Sequence, residues 1–281
     1  MPDQQSGEAK LASPQPAKPS YSVIDAFLPN KTISHSTFLI IVIFWVVSSL
    51  IIWSTSSIKA IPRPGEVASA FSDLWNNMGL GQELIKSITL NAKALVISTI
   101  LCLALAYLTV IPFFRPLIIA FSKGRFLSMV GFSFVFTLMI GGGDPLKLGM
   151  LVFGMSVFFL TSMAAVVAEI PKSEFDHART LRMSEWKVVW EVVIRGTFDQ
   201  AFEVMRQNAA IGWMMLTMVE GIVRSDGGVG ALLLNEQKHM KMESVFAIQI
   251  AILIIGLFQD YLIGLARRLI CPYSVLTLER K

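Results

Sequence analysis

The sequence predicts an all-α, polytopic membrane protein with about six transmembrane helices and a cytoplasmic helix-turn-helix loop. The first observation is composition: 54% of the 281 residues are hydrophobic and only 16% are charged, with a mean hydropathy of +0.61. A soluble domain of this length needs more polar surface to cover it. The second observation is a series of apolar runs near the roughly 20 residues that cross a bilayer core. The third is one long polar interruption at residues 171–207.

Six apolar runs are candidates for the membrane spans, and the third and fifth are shorter than the rest. Because lipid offers no water to satisfy backbone groups, the runs must be helical. The predicted spans are Thr37–Trp53, Ile88–Ile111, Phe126–Ile140, Leu146–Ala168, Ala209–Val223 and Val245–Ala266.

The distribution of Lys and Arg predicts which side of the membrane each connection faces. With the N-terminus inside, sixteen of these residues fall in interior segments and seven in exterior ones, while Lys93 lies within a span. This asymmetry places both termini and the 171–207 loop in the cytoplasm. It also accounts for the formal net charge of +4, since no helix carries a basic cluster of the kind that binds nucleic acid.

The chain ends differ in kind from the spans. Residues 1–34 alternate Pro with Gln, Ser, Ala and Lys, which favours disorder because such a segment buries too little apolar surface to offset its ordering entropy. The sequence thus divides into a disordered cytoplasmic N-terminal tail (1–34), a transmembrane domain (35–270) and a short cytoplasmic C-terminal tail (271–281).

The polar loop is predicted to hold two short amphipathic helices. The apolar face of the first is formed by Phe175, Ala178 and Leu181. The second has a bulkier stripe, at i, i+3, i+4 and i+7, of Trp186, Val189, Trp190 and Val193. Ser184 can cap this second helix. Since an inert polar loop has no reason to carry such a stripe, we predict that the loop docks a soluble partner.

Two exterior segments carry turn signals. Pro62–Phe71 begins with a rigid turn and continues as a short helix with Glu66 in its first turn. Ser225–Leu234 is a Gly-rich turn that leads into a short amphipathic segment.

These stretches, in this order, resemble the permease subunits of binding-protein-dependent ABC importers, in particular the nitrate/sulfonate/taurine-like group. That family carries a cytoplasmic loop of the form Glu-Ala-Ala, three residues, Gly, and later an apolar-Leu-Pro ending. Here Asp176-His177-Ala178 stands in place of Glu-Ala-Ala, and Arg179-Thr180-Leu181 matches the usual triplet. Trp186 stands where an aromatic is usual, and Val192-Val193-Ile194 matches the apolar ending. The segments Pro62–Phe71 and Glu220–Leu234 are similar to two further motifs of the group, so the resemblance covers roughly residues 36–270.

This sequence departs from the family pattern at three places. Arg182 stands where the family has Gly, and Arg195 stands where it has Pro. Ser122–Val130 replaces a Pro-rich start of the third span. Because Gly adopts a positive φ at no steric cost and Arg does not, we expect Arg182 to make the turn in another way.

The resemblance implies that this loop sits in a groove of a cytoplasmic ATP-binding subunit and moves when that subunit binds ATP. The coupling residues it implies are Asp176, His177, Ala178, Arg179, Thr180, Leu181, Arg182, Met183 and Trp186. It also implies a second permease copy, identical or similar, an extracytoplasmic solute-binding protein, and location in the bacterial inner membrane. Because hydrolysis belongs to the partner subunit, the chain itself is expected to be no enzyme and to need no cofactor.

Glu220 and Gln249 are the candidates for lining a translocation path. An ionisable residue within a span is a functional candidate because burying it is costly. Gly212 and Gly221, however, indicate close helix packing and support a structural hydrogen bond for Glu220 instead. Lys93, near the outer end of the second predicted span, either reaches the headgroups or attracts an anionic solute.

Other chemistries find no support in the sequence. Gly141–Lys147 lacks the Lys-Ser/Thr ending and the preceding strand of a phosphate loop. The three His lie in separate segments, so neither a metal site nor a catalytic Ser/His/Asp set is expected. Two alternatives stay open: an ion-coupled secondary transporter, which would carry more intramembrane acids and matching halves, and a stand-alone membrane protein on a permease-like fold.

Overall fold

The computed structural model describes residues 34–55 and 61–272, so the predictions for the N-terminal tail and for nearly all of the C-terminal tail fall outside these ranges. Every regular element within them is helical, which confirms the all-α class. The helices are α1 His35–Thr55, α2 Pro64–Asn77, α3 Leu80–Leu108, α4 Arg115–Ser122, α5 Met129–Ile140, α6 Asp144–Ala168, α7 Lys172–Thr180, α8 Glu185–Val188, α9 Phe198–Ile222, α10 Val229–Lys238 and α11 Met242–Ile270. A 3₁₀ turn (Lys123–Phe126) follows α4, and a π-helical segment (Val189–Arg195) follows α8. The first helix forms one compact unit and the remaining helices form another.

Four helices are long and apolar enough to cross a membrane. They are Ser36–Thr55 within α1, and the whole of α3, α6 and α11. Arg115–Phe126 and Met129–Ile140 also qualify if they are counted as one span, although they meet at a bend of 115°. Helix α9, which carries Asp199, Glu203 and Arg206 in its first half, is not among them. The structure therefore supports four spans, or five with the bent pair, and the sixth remains a prediction.

The second predicted span begins earlier than the hydropathy pattern indicated. Helix α3 starts at Leu80 and runs for 29 residues, because Glu83 and Lys86 occupy its first two turns as an i, i+3 ion pair instead of ending it. Lys93 is thus the fourteenth residue of α3, at its middle. That Lys93 lies near the outer end of the membrane-crossing part of this helix stays a prediction.

The core lies where α3, α6 and α9 meet. Small residues of α3 let the large side chains of α6 approach closely, and α9 closes the cluster. Its buried members include Cys102, Ala106, Phe159, Leu160, Met163, Ala201 and Val204. Helix α6 contributes buried side chains from Leu146 to Met163, so it is the central helix against which the others pack.

Both helices predicted from turn signals are present. Helix α2 begins at Pro64, and the Glu66 carboxylate accepts the backbone N–H of Arg63 at 2.8 Å. Helix α10 begins directly after Gly227 (φ 75°) and Gly228 (φ 110°), a backbone that side chains other than Gly adopt only under strain.

Candidate functional site

The polar loop folds as two helical segments joined by a tight turn at Arg182. This residue adopts φ 55°, the left-handed conformation that glycine favours. The expectation that Arg182 makes the turn in another way was therefore wrong. The Arg182 N–H donates to the Arg179 carbonyl at 2.9 Å and the Met183 N–H donates to the Ala178 carbonyl at 3.4 Å. These two bonds form a Schellman motif, and they offset the steric cost by satisfying carbonyls at the end of α7.

An ion pair spans the turn between the two segments. The Arg179 guanidinium donates from Nε to Glu185 Oε1 at 3.0 Å and from Nη2 to Glu185 Oε2 at 3.2 Å. Asp176 lies on the other side of the same guanidinium, at 3.5 Å. The hydrogen bond and the charge of Arg179 hold the pKa of the Glu185 carboxyl below its ordinary range.

The apolar surface of the loop differs from the predicted stripe. The second segment is α-helical only to Val188 and then widens into a π-helix, so the side chains buried against the body are Val188 and Val193, five residues apart. Trp190, within the π-helical segment, and Trp186, which precedes it in α8, are both exposed, to 54% and 74%. Leu181 at the turn is also exposed, and Ser184 occupies the N-cap position without a side-chain capping bond.

The predicted coupling residues form one continuous element of the chain. Asp176, His177, Arg179 and Thr180 are exposed on α7, whereas Ala178 faces the body and is buried. Arg182 is exposed at the turn, and Met183 is half-buried beside it. These side chains and Trp186 thus surround a short, rigid turn.

The loop is connected to two long helices. The π-helical segment passes through the buried Thr197 directly into α9. Arg267 of α11 binds the first turns of α9, through Asp199 at 3.0 Å and Glu203 at 2.8 Å. The loop is thus joined to α9 through the backbone, and α9 is joined to α11 through the two ion pairs of Arg267.

Glu220 belongs to a polar cluster that seats the Gly-rich loop before α10. Its Oε1 accepts the Ser87 hydroxyl at 2.6 Å, and its Oε2 accepts the Gly230 N–H at 2.8 Å. The Val229 N–H donates to the Ser87 Oγ at 2.9 Å, and the Gly228 N–H donates to the Glu83 carboxylate. These carboxylates and the hydroxyl satisfy the first N–H groups of α10, which has no acidic residue in its own first turn.

A buried lysine completes this cluster from α6. Lys147 is 2% exposed, and its Nζ donates to the Gly227 carbonyl at 2.8 Å. The cluster thereby connects the first turns of α3 and α6 with the last turn of α9. Glu83 and Ser87 were missed in the sequence, because the second predicted span begins after them. Their i, i+4 spacing places both polar side chains on one face of a helix, and this was the signal that could have found them.

Gln249 lies in a different place from Glu220. It is exposed on α11, in a groove of about 370 Å³ between α9 and α11 whose polar groups also include Arg206 and Asp260. Arg206 and Asp260 form an ion pair at 3.5 Å across this groove, beside Trp213. Glu220 instead lines a groove between α3 and α6. The two residues predicted for one path therefore border separate cavities.

No protein-family model matches this chain, and a comparison with curated proteins finds no match. Within residues 34–55 and 61–272, no group of three or more His, Cys, Asp or Glu side chains is placed to hold a metal ion.

Proposed function

We propose that this chain is the permease subunit of a binding-protein-dependent ABC importer, and that its 171–207 loop receives movement from a cytoplasmic ATP-binding subunit. The observation that carries the proposal is the exposed apolar surface of Leu181, Trp186 and Trp190 on an otherwise polar loop. Aromatic side chains exposed on a rigid element are typical of protein interfaces. The left-handed turn at Arg182, where the family has Gly, supports the alignment on which the resemblance rests.

The construction of the loop suits the transmission of movement. A flexible loop would absorb a push from its partner, whereas the Schellman turn and the Arg179–Glu185 pair hold this one in a single shape. The partner would bind the loop in two positions, and the difference in contacts between those positions would bias the helices between two states.

The exposed face of α9 and α11 supports a path shared with a second copy of the chain. Arg206 of α9 and Gln249 and Asp260 of α11 are polar groups on this face, and α11 is apolar enough to cross a membrane. Such groups are costly against hydrocarbon, so we place the face toward another permease subunit and a hydrated path. A solute-binding protein would deliver the solute from outside, to a bacterial inner membrane protein with both termini in the cytoplasm.

An ion-coupled secondary transporter is the runner-up. Its best candidate for ion binding is Glu220, but both carboxylate oxygens of this residue are already occupied by Ser87 and Gly230. This geometry favours a structural role for Glu220, and it weakens the alternative.

The test is co-purification from membranes that contain the native partners. The tagged chain is solubilised in mild detergent, and bound ATPase activity is measured for the native loop and for Trp186→Asp. Met240→Asp is the matched control, because Met240 is exposed to 73% and lies outside the loop. We expect ATPase recovery with the native chain and the control, and its loss with Trp186→Asp. Equal recovery from all three, or none from the folded native chain, would refute the proposal.

A further inference from the structure

Helix α2 buries only part of its apolar surface. The buried part packs mainly against α11 and consists of Val67, Ala70 and Leu74, at i, i+3 and i+7. Phe71 and Trp75 each follow a buried residue by one position, and they are 38% and 53% exposed. The apolar side of the helix is therefore wider than the surface that α11 covers. We call its uncovered part, formed by Phe71, Trp75 and the C-cap residue Met78, the α2 stripe.

The rest of the exposed surface of α2 is polar. Asn76 Nδ2 donates to Ser72 Oγ at 3.3 Å, and Asn77 Nδ2 donates to Asp73 Oδ1 at 2.6 Å. These exposed side chains thus form i, i+4 pairs along the helix. Helix α2 consequently has a buried side, an exposed apolar side and an exposed polar side. A helix that faced only water and its own protein would need no exposed apolar side of this kind.

The α2 stripe is continuous with the exposed apolar face of α3. The Trp75 ring stacks on Phe71, with ring centroids 6.0 Å apart and an interplanar angle of 24°. On its other side the Trp75 ring covers Gly81, where a Cβ would lie 3.4 Å from the indole. Ile85 follows Gly81 by one turn on the same face of α3 and is 66% exposed. This face continues through further exposed apolar residues, which are Ile88, Ala92 and Val96.

The position of Trp75 beside α3 has the composition of a membrane–water interface. Helix α3 is long and apolar enough to cross a membrane. Its first two turns nevertheless expose Gln82 and Lys86 as well as Ile85. Tryptophan is enriched at such levels, because its ring is apolar while its N–H still donates to water or headgroups.

We propose that α2 lies in a membrane–water interface, with the α2 stripe among the outer parts of the acyl chains and with Ser72 and Asn76 facing water. No Lys or Arg lies between Pro64 and Asn77, so apolar burial holds the helix in place and anionic lipid is not needed. The placement requires a membrane but no ATP-binding subunit. Its failure and the failure of the proposed function are therefore separate outcomes.

The experiment measures what surrounds single positions of α2 in the full chain. The two cysteines are replaced by Cys102→Ala and Cys271→Ala, and the protein is reconstituted into phosphatidylcholine vesicles. A nitroxide is attached to Phe71→Cys or Trp75→Cys on the α2 stripe. Ser72→Cys and Asn76→Cys are the matched controls, each one position along the same helix. Size-exclusion chromatography and circular dichroism verify that each labelled protein is folded.

Electron paramagnetic resonance then compares collisions of the nitroxide with two relaxing agents. Molecular oxygen concentrates in the bilayer, and a charged nickel chelate stays in water. We expect the ratio of oxygen to nickel collisions to be several-fold higher at Phe71→Cys and Trp75→Cys than at the two controls. Adding phosphatidylglycerol to the vesicles should leave this ratio unchanged.

Four results would overturn the proposal. Nickel collisions at Trp75→Cys that equal those at Asn76→Cys would place the α2 stripe in water. Low collision rates with both agents at Phe71→Cys and Trp75→Cys would show that protein covers the stripe. Oxygen-rich environments at all four positions would place the whole helix inside the bilayer. A ratio that rises only with phosphatidylglycerol would show that charge, and not apolar burial, attaches the helix.

Discussion

Replacing Arg182 with Gly should stabilise the turn of the polar loop. Arg182 has φ 55°, and the left-handed conformation costs a residue with a Cβ about 1–2 kcal/mol. Gly removes this cost, but it also raises the conformational entropy of the opened loop, which offsets about 0.4–1 kcal/mol of the stabilisation. The net effect is a gain of about 0.5–1 kcal/mol in the free energy of opening the loop. The Schellman bonds should remain, since both are made by backbone atoms.

Hydrogen exchange measures this effect directly. The Arg182 and Met183 N–H groups make the two bonds of the turn, so peptides that contain them should exchange roughly two- to fivefold more slowly in Arg182→Gly. Arg182→Ala removes the guanidinium but keeps a Cβ, and it should give no such gain. Met240 also has a positive φ, 57°, so Met240→Gly should slow exchange between α10 and α11 and leave the loop unchanged.

If Arg182→Gly exchanges as fast as the native chain, the turn stores no strain and the prediction is wrong. The prediction is also wrong if Arg182→Ala gives the same protection as Arg182→Gly. In that case the guanidinium charge, and not the backbone conformation, would be what destabilises the loop.

Three further predictions concern ion pairs and close packing. Arg179 lowers the pKa of the Glu185 carboxyl. The stability that this ion pair gives the loop should therefore be fully present above the ordinary carboxyl pKa, and it should be lost as pH falls through the lowered pKa of Glu185. Glu185→Gln should abolish this pH dependence, which is measured as hydrogen exchange of the loop. Gly228→Ala should destabilise the protein by about 1–3 kcal/mol, read as a lower melting temperature in detergent, because φ is 110° and a Cβ would overlap the buried carboxylate beneath it. Arg267→Met should lower the melting temperature more than Arg268→Met. Of these two arginines, only Arg267 has ion-pair partners among the described residues, and equal losses would contradict that assignment.

The sequence alone was enough to predict the helical class and the position of most helices. A long apolar run that crosses lipid must be helical, because a helix satisfies its own backbone hydrogen bonds there. Helices α2 and α10 also followed from local signals, a Pro in the first turn of α2 and a Gly pair before the start of α10. Such features depend on neighbours within a few residues, which the sequence displays directly.

The polar loop could be predicted from the sequence only in part. Its helices and turn were predictable, but the apolar face was not, since a π-helical segment shifted the side chains after Val188. Whether a segment widens in this way depends on what packs against it. The same holds for Arg182, whose left-handed backbone is stabilised by the turn that surrounds it.

The polar cluster was decided by tertiary structure alone. Glu83, Ser87, Lys147 and Glu220 come from three helices that are far apart in the chain, and they meet only because those helices pack around the Gly-rich loop. Composition and periodicity determined that this protein consists of membrane-suited helices, since each helix satisfies its own backbone. Long-range packing decided which polar side chains meet, because a buried charge is tolerated only where distant residues supply its partners.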